Sequence, residues 1–436
     1  MNVVVTSFGS DGDFNPLLAI AGALVRRGVT VTFVANPFYE RRVKSTGSRF
    51  VGAGNFLDVF AALRDNPRYL RTATGVVAIW RELAVPSIRE IYPVVRDTVH
   101  EVGATAVVSH VLSYGGVWAA AKTGVRNVVV TTTSSAWLSR HQPLVFANWR
   151  APRIVQGALT VALRGMGEMV LRQALRLLAV EIGAPVVPGV VPDPDLNLGV
   201  WPEWFRPPAP DDPPRARMCG FVFDTVDASP PLPRHVESFL AAGDAPVIAG
   251  FGSAASLHAA ERYRAVADAC ETLGRRCVLI GPSADVVAPT RNALVIASAP
   301  YARVFPAASV VVHHGGFGTC AEVLRAGKPS LVTPFAFDQF DTAARVHDAG
   351  LGRWLVGDGS GPAAMAAALD SILRSATLAA AAHDAAAKIA ASPGGADRAA
   401  ELVEAVAAAP RQTGADAERI GTPGRRSRSA PCSPPE

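Results

Sequence analysis

The strongest constraint in this sequence is a run of short apolar segments, each followed by a glycine turn and a helical stretch. The pattern occurs in the first half and starts afresh in the second. Residues 2–7 are rich in β-formers, 9–16 are a glycine and aspartate loop, and 17–27 carry helical spacing. Gly28 stops that helix, and 29–35 reads as a second buried strand. Such a strand, helix, strand unit of about 30 residues implies parallel pairing, because only a long crossover can join parallel neighbours. The grammar recurs at 104–109, 117–122 and 125–131, so a doubly wound first domain is predicted.

Residues 154–182 have helical spacing, with Arg164, Arg172, Arg176 and Glu181 interrupting an apolar face. A proline-dense stretch, 185–233, follows and contains Arg206-Pro-Pro-Ala-Pro-Asp-Asp-Pro-Pro. Proline removes donors and fixes the backbone, so this is the expected linker. The grammar restarts with a strand at 246–250, a loop at 252–256, a helix at 260–273 and a strand at 277–280. Further on, 310–313 and 330–333 read as strands flanking a helix at 316–326. Alanine-rich helices at 362–374, 378–391 and 396–409 are expected to close the fold. The expected extents are 1–205 for the first domain, 206–233 for the linker and 234–410 for the second domain. Residues 411–436, rich in Arg, Ser, Pro and Gly, read as a disordered tail.

A length of 436 residues also favours two domains, since single cores stop growing well below that size. The formal net charge of +5 is carried partly by arginines of the tail, so no nucleic-acid partner is implied. The five cysteines, at 219, 270, 277, 320 and 432, are odd in number and lack metal-ligand spacing, which suits reduced thiols. The first apolar run is short and lacks a basic flank, as a strand would be. No stretch of about 20 apolar residues free of charge is present. A cytoplasmic location is expected.

The most informative segment runs from Val310 to Pro329 and contains His313-His-Gly-Gly-Phe-Gly-Thr-Cys-Ala-Glu322. A strand delivers two histidines into a glycine turn that opens a helix. Free N–H groups at a helix start attract phosphate, and glycines let a bulky anion come close. This stretch, with Pro334-Phe-Ala-Phe-Asp-Gln after it, resembles the donor signature of the nucleotide-sugar glycosyltransferases of plant secondary metabolism and bacterial antibiotic synthesis. The matching residues are His314, Gly316, Thr319 and Glu322, then Gly327-x-Pro329, then Asp338 and Gln339, with Gly315 and Gly318 in the turn. The resemblance implies that His314, Gly316 and Thr319 hold the diphosphate, Glu322 the ribose, and Asp338 with Gln339 the sugar hydroxyls. The residues themselves leave other readings open. Asp338 suits a helix N-cap, and Glu322 suits a solvated first-turn acid. Where plant members carry Trp-x-Pro-Gln, this chain has Ser298-Ala-Pro300-Tyr301, so Pro300 is retained and the base-stacking tryptophan is not. The resemblance implies that Ser253, in the second glycine loop Gly250-Phe-Gly-Ser-Ala, touches the phosphates; the residues alone equally suit a plain turn.

In the first domain, Gly9-Ser-Asp-Gly-Asp-Phe-Asn-Pro16 resembles a loop of the bacterial branch whose aspartate acts as base, here Asp13. Asp13 equally suits the cap of a helix starting near Pro16. His110, at the end of another strand, is a candidate to orient or replace it, or simply a satisfied strand-end histidine. Segment 201–221 looks like that of enzymes close to the rhamnolipid rhamnosyltransferase.

The resemblance thus implies two Rossmann-like doubly wound domains facing across a cleft, the glycosyltransferase B type. It implies an inverting transfer of a hexose or deoxyhexose from a UDP- or dTDP-sugar to a hydroxyl of a hydrophobic acceptor, a lipid or an aglycone. Asp11-Gly-Asp13 and Asp193-Pro-Asp195 mimic a metal motif of another fold, but no metal and no other cofactor is expected, and neither glycine loop fits a dinucleotide fingerprint. Phe56, Phe60, Trp80, Trp137, Phe146 and Trp149 are candidates for an apolar acceptor lining, or core. Arginines beside the apolar face of 150–176 suit a peripheral contact with an anionic membrane. A nucleotide-sugar epimerase of the same fold and a non-catalytic partner protein are the alternatives.

Overall fold

The computed structural model describes residues 1–55, 57–58, 61–62, 65–70, 72–147, 151–223, 230–252, 259–281, 285–355 and 361–410. Ser253, Phe56, Phe60, Trp149 and the segment 411–436 lie outside the described residues. Two parallel sheets organise the chain. The first comprises β1 (Asn2–Thr6), β2 (Thr30–Ala35), β3 (Arg49–Gly52), β4 (Ala106–His110), β5 (Arg126–Thr131), β6 (Leu196–Gly199) and β7 (Ala216–Met218). Its spatial order is β3-β2-β1-β4-β5-β6-β7. The second comprises β8 (Val247–Gly250), β9 (Cys277–Ile280), β10 (Ala293–Ile296), β11 (Val310–His313), β12 (Ser330–Val332) and β13 (Gly352–Trp354), in the order β10-β9-β8-β11-β12-β13. Every pairing is parallel. In each sheet the order reverses at one place, between β1 and β4 and between β8 and β11. Crevices at such switch points are where open parallel sheets bind ligands.

The strands are apolar on both faces because helices cover both. The principal helices are α1 (Asp11–Arg26), α2 (Val85–Val102), α3 (Tyr114–Thr123), α4 (Arg153–Ile182), α5 (Ala260–Thr272), α6 (Phe317–Arg325), α7 (Gln339–Asp348), α8 (Pro362–Leu373), α9 (Ala376–Ala391) and α10 (Gly395–Ala408). Val3 and Val5 pack with α1 and α10, whereas Val4 packs with α2, α3 and the end of α4. In the second sheet Val247 and Ala249 meet α5 and α8, and Ile248 faces the opposite layer.

Three extents differ from the sequence reading. Helix α1 begins at Asp11, not near Pro16, because a glycine and aspartate loop is also good first-turn material. The first sheet extends past 205 through β7, so part of the proline-dense stretch is sheet and not free linker. Helix α10, grouped by sequence with the second domain, crosses back to the first. Its Ala399, Ala400 and Val403 join the core with α1, and Arg126 donates to the carbonyls of Ala409 and Pro410. The ion pairs Arg26–Asp397 and Arg27–Glu404 flank this contact but are exposed, so apolar burial holds it.

The connection between β6 and β7, inside the first domain, is anchored by a buried ion pair. Arg206 is fully buried, its Nη1 donates to Asp212 at 2.8 Å, and its Nη2 donates to the carbonyl of Trp137 at 3.3 Å. Removing one partner strands the other charge in a dry site. Arg206→Met is therefore expected to lower unfolding stability by about 3–5 kcal/mol, measured in urea, and a second change, Asp212→Asn, to restore part of the loss.

Candidate functional site

Each domain places its chemistry at its own switch point. In the first domain β1 ends at Thr6 and the chain turns through Gly9 into α1, which sets Asp13 in the first turn. Asp13 Oδ2 accepts the Ser10 N–H at 3.0 Å, a capping-box contact that fixes the carboxylate. Gly9, at φ +126°, is required: a Cβ there would lie 2.2 Å from Asp13 Oδ2. The N-cap is thus Ser10 and not Asp13, which as third residue of the helix closes the capping box while keeping part of its carboxylate exposed.

His110 ends β4, the strand next to β1. It is 1% exposed, and its Nε2 lies 3.0 Å from Thr132 Oγ1 and 3.5 Å from Asp13 Oδ1. Its Nδ1 accepts the Leu112 N–H at 3.4 Å, which puts the ring proton on Nε2, facing Thr132 and Asp13. Burial lowers the His110 pKa to about 3, so the ring is neutral. Burial also raises Asp13 to about 6, with the Ser10 contacts opposing. Asp13 keeps 29% of its side chain exposed, so it, and not His110, can be reached by a ligand.

In the second domain β11 delivers His313 and His314 into the turn before α6. His313 is fully buried and its Nδ1 accepts the Gly315 N–H at 3.2 Å, so this histidine orders the turn. His314 is nearly buried and its Nδ1 has no hydrogen-bond partner. Gly316 must lack a side chain, since a Cβ would stand 2.3 Å from His314 Nε2. Helix α6 starts at Phe317, so the N–H groups of Gly318 and Thr319 belong to its first turn, where a helix leaves donors unfilled. A Cβ at Gly318 would meet open space, as an anion seat requires. Glu322 is in the second turn and not the first, and pairs with Arg325.

After β12 the chain runs through Pro334 to Asp338 with Phe337 at φ +56°, a strained position for an aromatic residue. Gln339 Oε1 accepts the N–H groups of Phe335 and Ala336 at 2.7 and 3.1 Å, so its carbonyl shapes this loop. Asp338 stands at the N-cap position of α7, but its side chain makes no cap hydrogen bond. It bonds instead to Thr133 of the first domain and feels the charge of Asp13. Burial, first, and then the charges of Asp13 and Asp341 raise Asp338 to about 6, against the Thr133 hydrogen bond, which favours the ionised form. Two carboxylates from opposite domains thus face one space.

Pro300 precedes the short helix Tyr301–Val304. Tyr301 stacks on Phe305 at 4.3 Å, and its hydroxyl accepts the Gly252 N–H at 3.2 Å, which holds the turn after β8. Of the aromatic residues weighed for an acceptor, Trp137 is core and Trp80 packs edge-on to Tyr114 at 5.9 Å. Among the described residues no group of three or more His, Cys, Asp or Glu side chains is placed to hold a metal ion. Thr133 and Arg262 stand at the site without any motif to mark them, and only their position beside motif residues reveals them; Tyr301 falls where the plant motif has its glutamine.

Residues 283–405 match the family model described as erythromycin biosynthesis protein CIII-like, C-terminal domain. The chain is 28% identical over 388 residues to the dTDP-epi-vancosaminyltransferase of Amycolatopsis orientalis, covering 86% of this chain and 90% of that one. It is 25% identical over 371 residues, 81% of its length, to a sterol 3-beta-glucosyltransferase of Arabidopsis thaliana, of which it spans 57%. The solved structure of the spinosyn rhamnosyltransferase SpnG complexed with thymidine diphosphate has a TM-score of 0.65 at 21% identity, covering 93% of this chain and 100% of that one. Residues 283–405 thus resemble the C-terminal domain of that family, the chain is similar over most of its length to glycosyltransferases, and its two parallel sheets have the glycosyltransferase B fold.

Proposed function

We propose that this chain moves a hexose or deoxyhexose from a uridine or thymidine diphosphate sugar to a hydroxyl of a hydrophobic acceptor, with inversion at the anomeric carbon. The observation that carries the reading is the meeting of Asp13 and Asp338 from opposite domains, beside the glycine turn that opens α6. Diphosphate would rest on the N–H groups of Gly318 and Thr319 with His314 beside it, and Asp338 and the Gln339 amide would take sugar hydroxyls. The thymidine diphosphate bound by SpnG supports this class of donor. The acceptor hydroxyl would attack the anomeric carbon, its proton passing to Asp13 as the bond to the diphosphate breaks. One displacement inverts the configuration. Neutral His110 donates from Nε2 and orients the carboxylate; it does not take the proton.

The donor site is tested by thermal stabilisation with a panel of nucleoside diphosphates, with and without a chelator. Uridine or thymidine diphosphate is expected to raise the melting temperature, and the shift to survive chelation, because no metal is assigned a role. No shift with any nucleotide would sink the reading. Consumption of a sugar nucleotide without an acceptor would point to an epimerase instead.

Asp13 must be ionised to accept a proton, so kcat/KM should rise with pH through about 6 and then level off. The apparent value belongs to the interacting pair and not to Asp13 alone. Asp13→Asn should cut kcat by about 10²–10⁴-fold and leave nucleoside diphosphate affinity unchanged. An unchanged kcat, or a product of retained configuration by NMR, would remove Asp13 from the mechanism. The same shifts make stability run the other way. The folded chain keeps protons on these two carboxyls that the unfolded chain releases, so their contribution falls as pH rises from about 4 to about 6.

The reading extends to a cytoplasmic enzyme in peripheral contact with an anionic membrane, through α4. By length and composition this helix could cross a membrane, yet Leu175, Leu178 and Ala179 pack it into the first domain. Its outer side exposes Ile154 (88%), Met169, Val170 and Leu177 (68%) beside the exposed Arg172 and Arg176. Apolar groups ringed by arginine suit an anionic lipid surface. An open groove of about 480 Å³ that includes Met169, Arg172 and Arg176 runs beside this helix and shares no lining residue with the cleft. Sedimentation with anionic vesicles, lost with neutral ones and in Leu177→Glu, is expected; no binding to either would remove the membrane contact.

A further inference from the structure

Helix α5 carries, on its third residue, a cation that no motif marks. Arg262 leaves the first turn of α5, which follows β8, and donates Nη2 to the carbonyl of Pro334 at 3.0 Å, in the loop after β12. Its guanidinium carbon lies 3.4 Å from the centroid of the Phe335 ring. Strand β11 runs between β8 and β12, so this side chain spans the end of the strand that delivers His314. Among the described residues no carboxylate stands within ion-pair distance of Arg262, neighbouring Glu261 acting on it only through its charge, and its Nε is buried without a hydrogen-bond partner. A cation withdrawn from water with no counter-ion is costly, and an anion brought beside it would relieve that cost.

The charges around the turn sharpen the point. Burial lowers His313 to about 3, and burial together with the Arg262 charge lowers His314 to about 4, so both rings are neutral near pH 7. Burial draws Arg262 down to about 10, still cationic at that pH. The positive charge beside the glycine turn is therefore the arginine's, while His314 offers a neutral imidazole.

We infer that Arg262 is the counter-charge for the donor's diphosphate and stabilises it as it leaves. This rests on the donor site proposed above. When the bond from the anomeric carbon to the diphosphate oxygen breaks, its electron pair stays on that oxygen and the leaving group gains one negative charge. The acceptor's proton goes to Asp13, and Arg262 exchanges neither atoms nor electrons. A fixed cation near the leaving oxygen is worth more as that charge grows, which is the condition for raising kcat. The contacts to Pro334 and Phe335 hold the guanidinium beside the end of β11, so it is oriented before the donor arrives.

The competing role is structural: Arg262 could serve only to clamp the Pro334–Asp338 loop. Calorimetry separates the two with uridine and thymidine against their diphosphates, using folded wild type, Arg262→Gln and Arg262→Met. The methionine keeps the packing on Phe335 and is the second variant should the glutamine not fold. Both variants are expected to lose about 10- to 100-fold in diphosphate affinity with nucleoside affinity unchanged, and to lose kcat with the donor sugar. Diphosphate affinity equal to wild type overturns the inference. So does an equal loss for nucleoside and diphosphate, which would make Arg262 a clamp. Wild type that binds no nucleoside diphosphate would overturn the donor site itself, a result distinct from either.

Discussion

The cleft depends on one packing arrangement, the burial of Phe317 of the second domain by the chain on either side of β7 at the edge of the first sheet. Phe317 is the first residue of α6, directly after the glycine turn, and packs within 6.0 Å of Trp201, Phe205 and Phe221. Trp201 and Phe205 lie in the β6–β7 connection and Phe221 just past β7, and all three are themselves buried, with Trp137 on Trp201. The start of α6, with its unfilled N–H groups, is thus fixed to the edge of the first domain by the residue next to those groups. Aromatic rings bring large apolar area and defined edge-to-face geometry, so they set position as well as stability. Arg206, paired with Asp212 and bonded to the Trp137 carbonyl, locks the same segment from the other side.

A second set of contacts closes the domains over the site. Asp341, on α7 three residues after Asp338, is almost fully buried and accepts the Val145 N–H of the first domain at 3.2 Å. Arg345 neutralises it at 2.7 Å and reaches Gln142 Oε1 at 3.3 Å. Val145 also packs on Phe340 and Ala344. The helix that presents Asp338 and Gln339 therefore also holds a loop of the opposite domain. Helix α10 adds a third tie by returning to α1, so the two ends of the described chain meet in one core.

Much of this was legible in the sequence, for reasons that can be named. Parallel strands buried on both faces must be apolar throughout, so Val3–Val5 and Val310–Val312 stand out as strands without an alignment. Glycine turns ahead of helices mark phosphate seats because few residues tolerate that geometry, and His314, Gly316 and Thr319 fall where the turn places them. Other features were hidden. The start of α1 was misjudged because Asp11 and Gly12 suit a loop and a first turn alike. Strand β7 lies in a proline-dense stretch, where local composition argues against a strand and pairing with β6 overrides it. The return of α10 is invisible because an alanine-rich helix has no address in its own sequence; it packs wherever small side chains fit.

The sequence by itself determined the fold class, the two repeats of the strand and helix pattern and the glycine turn after β11, because these follow from local period and backbone tolerance. The tertiary structure decided which charges meet. It put Asp13 within the field of Asp338, set His110 behind Asp13 as a neutral donor, stripped His313 and His314 of charge by burial, and laid Arg262 across the end of β11. Protonation and proximity depend on burial by residues far away in the chain. Asp13 and Asp338 lie in different domains, and no local pattern records the distance between them or the water removed from around them.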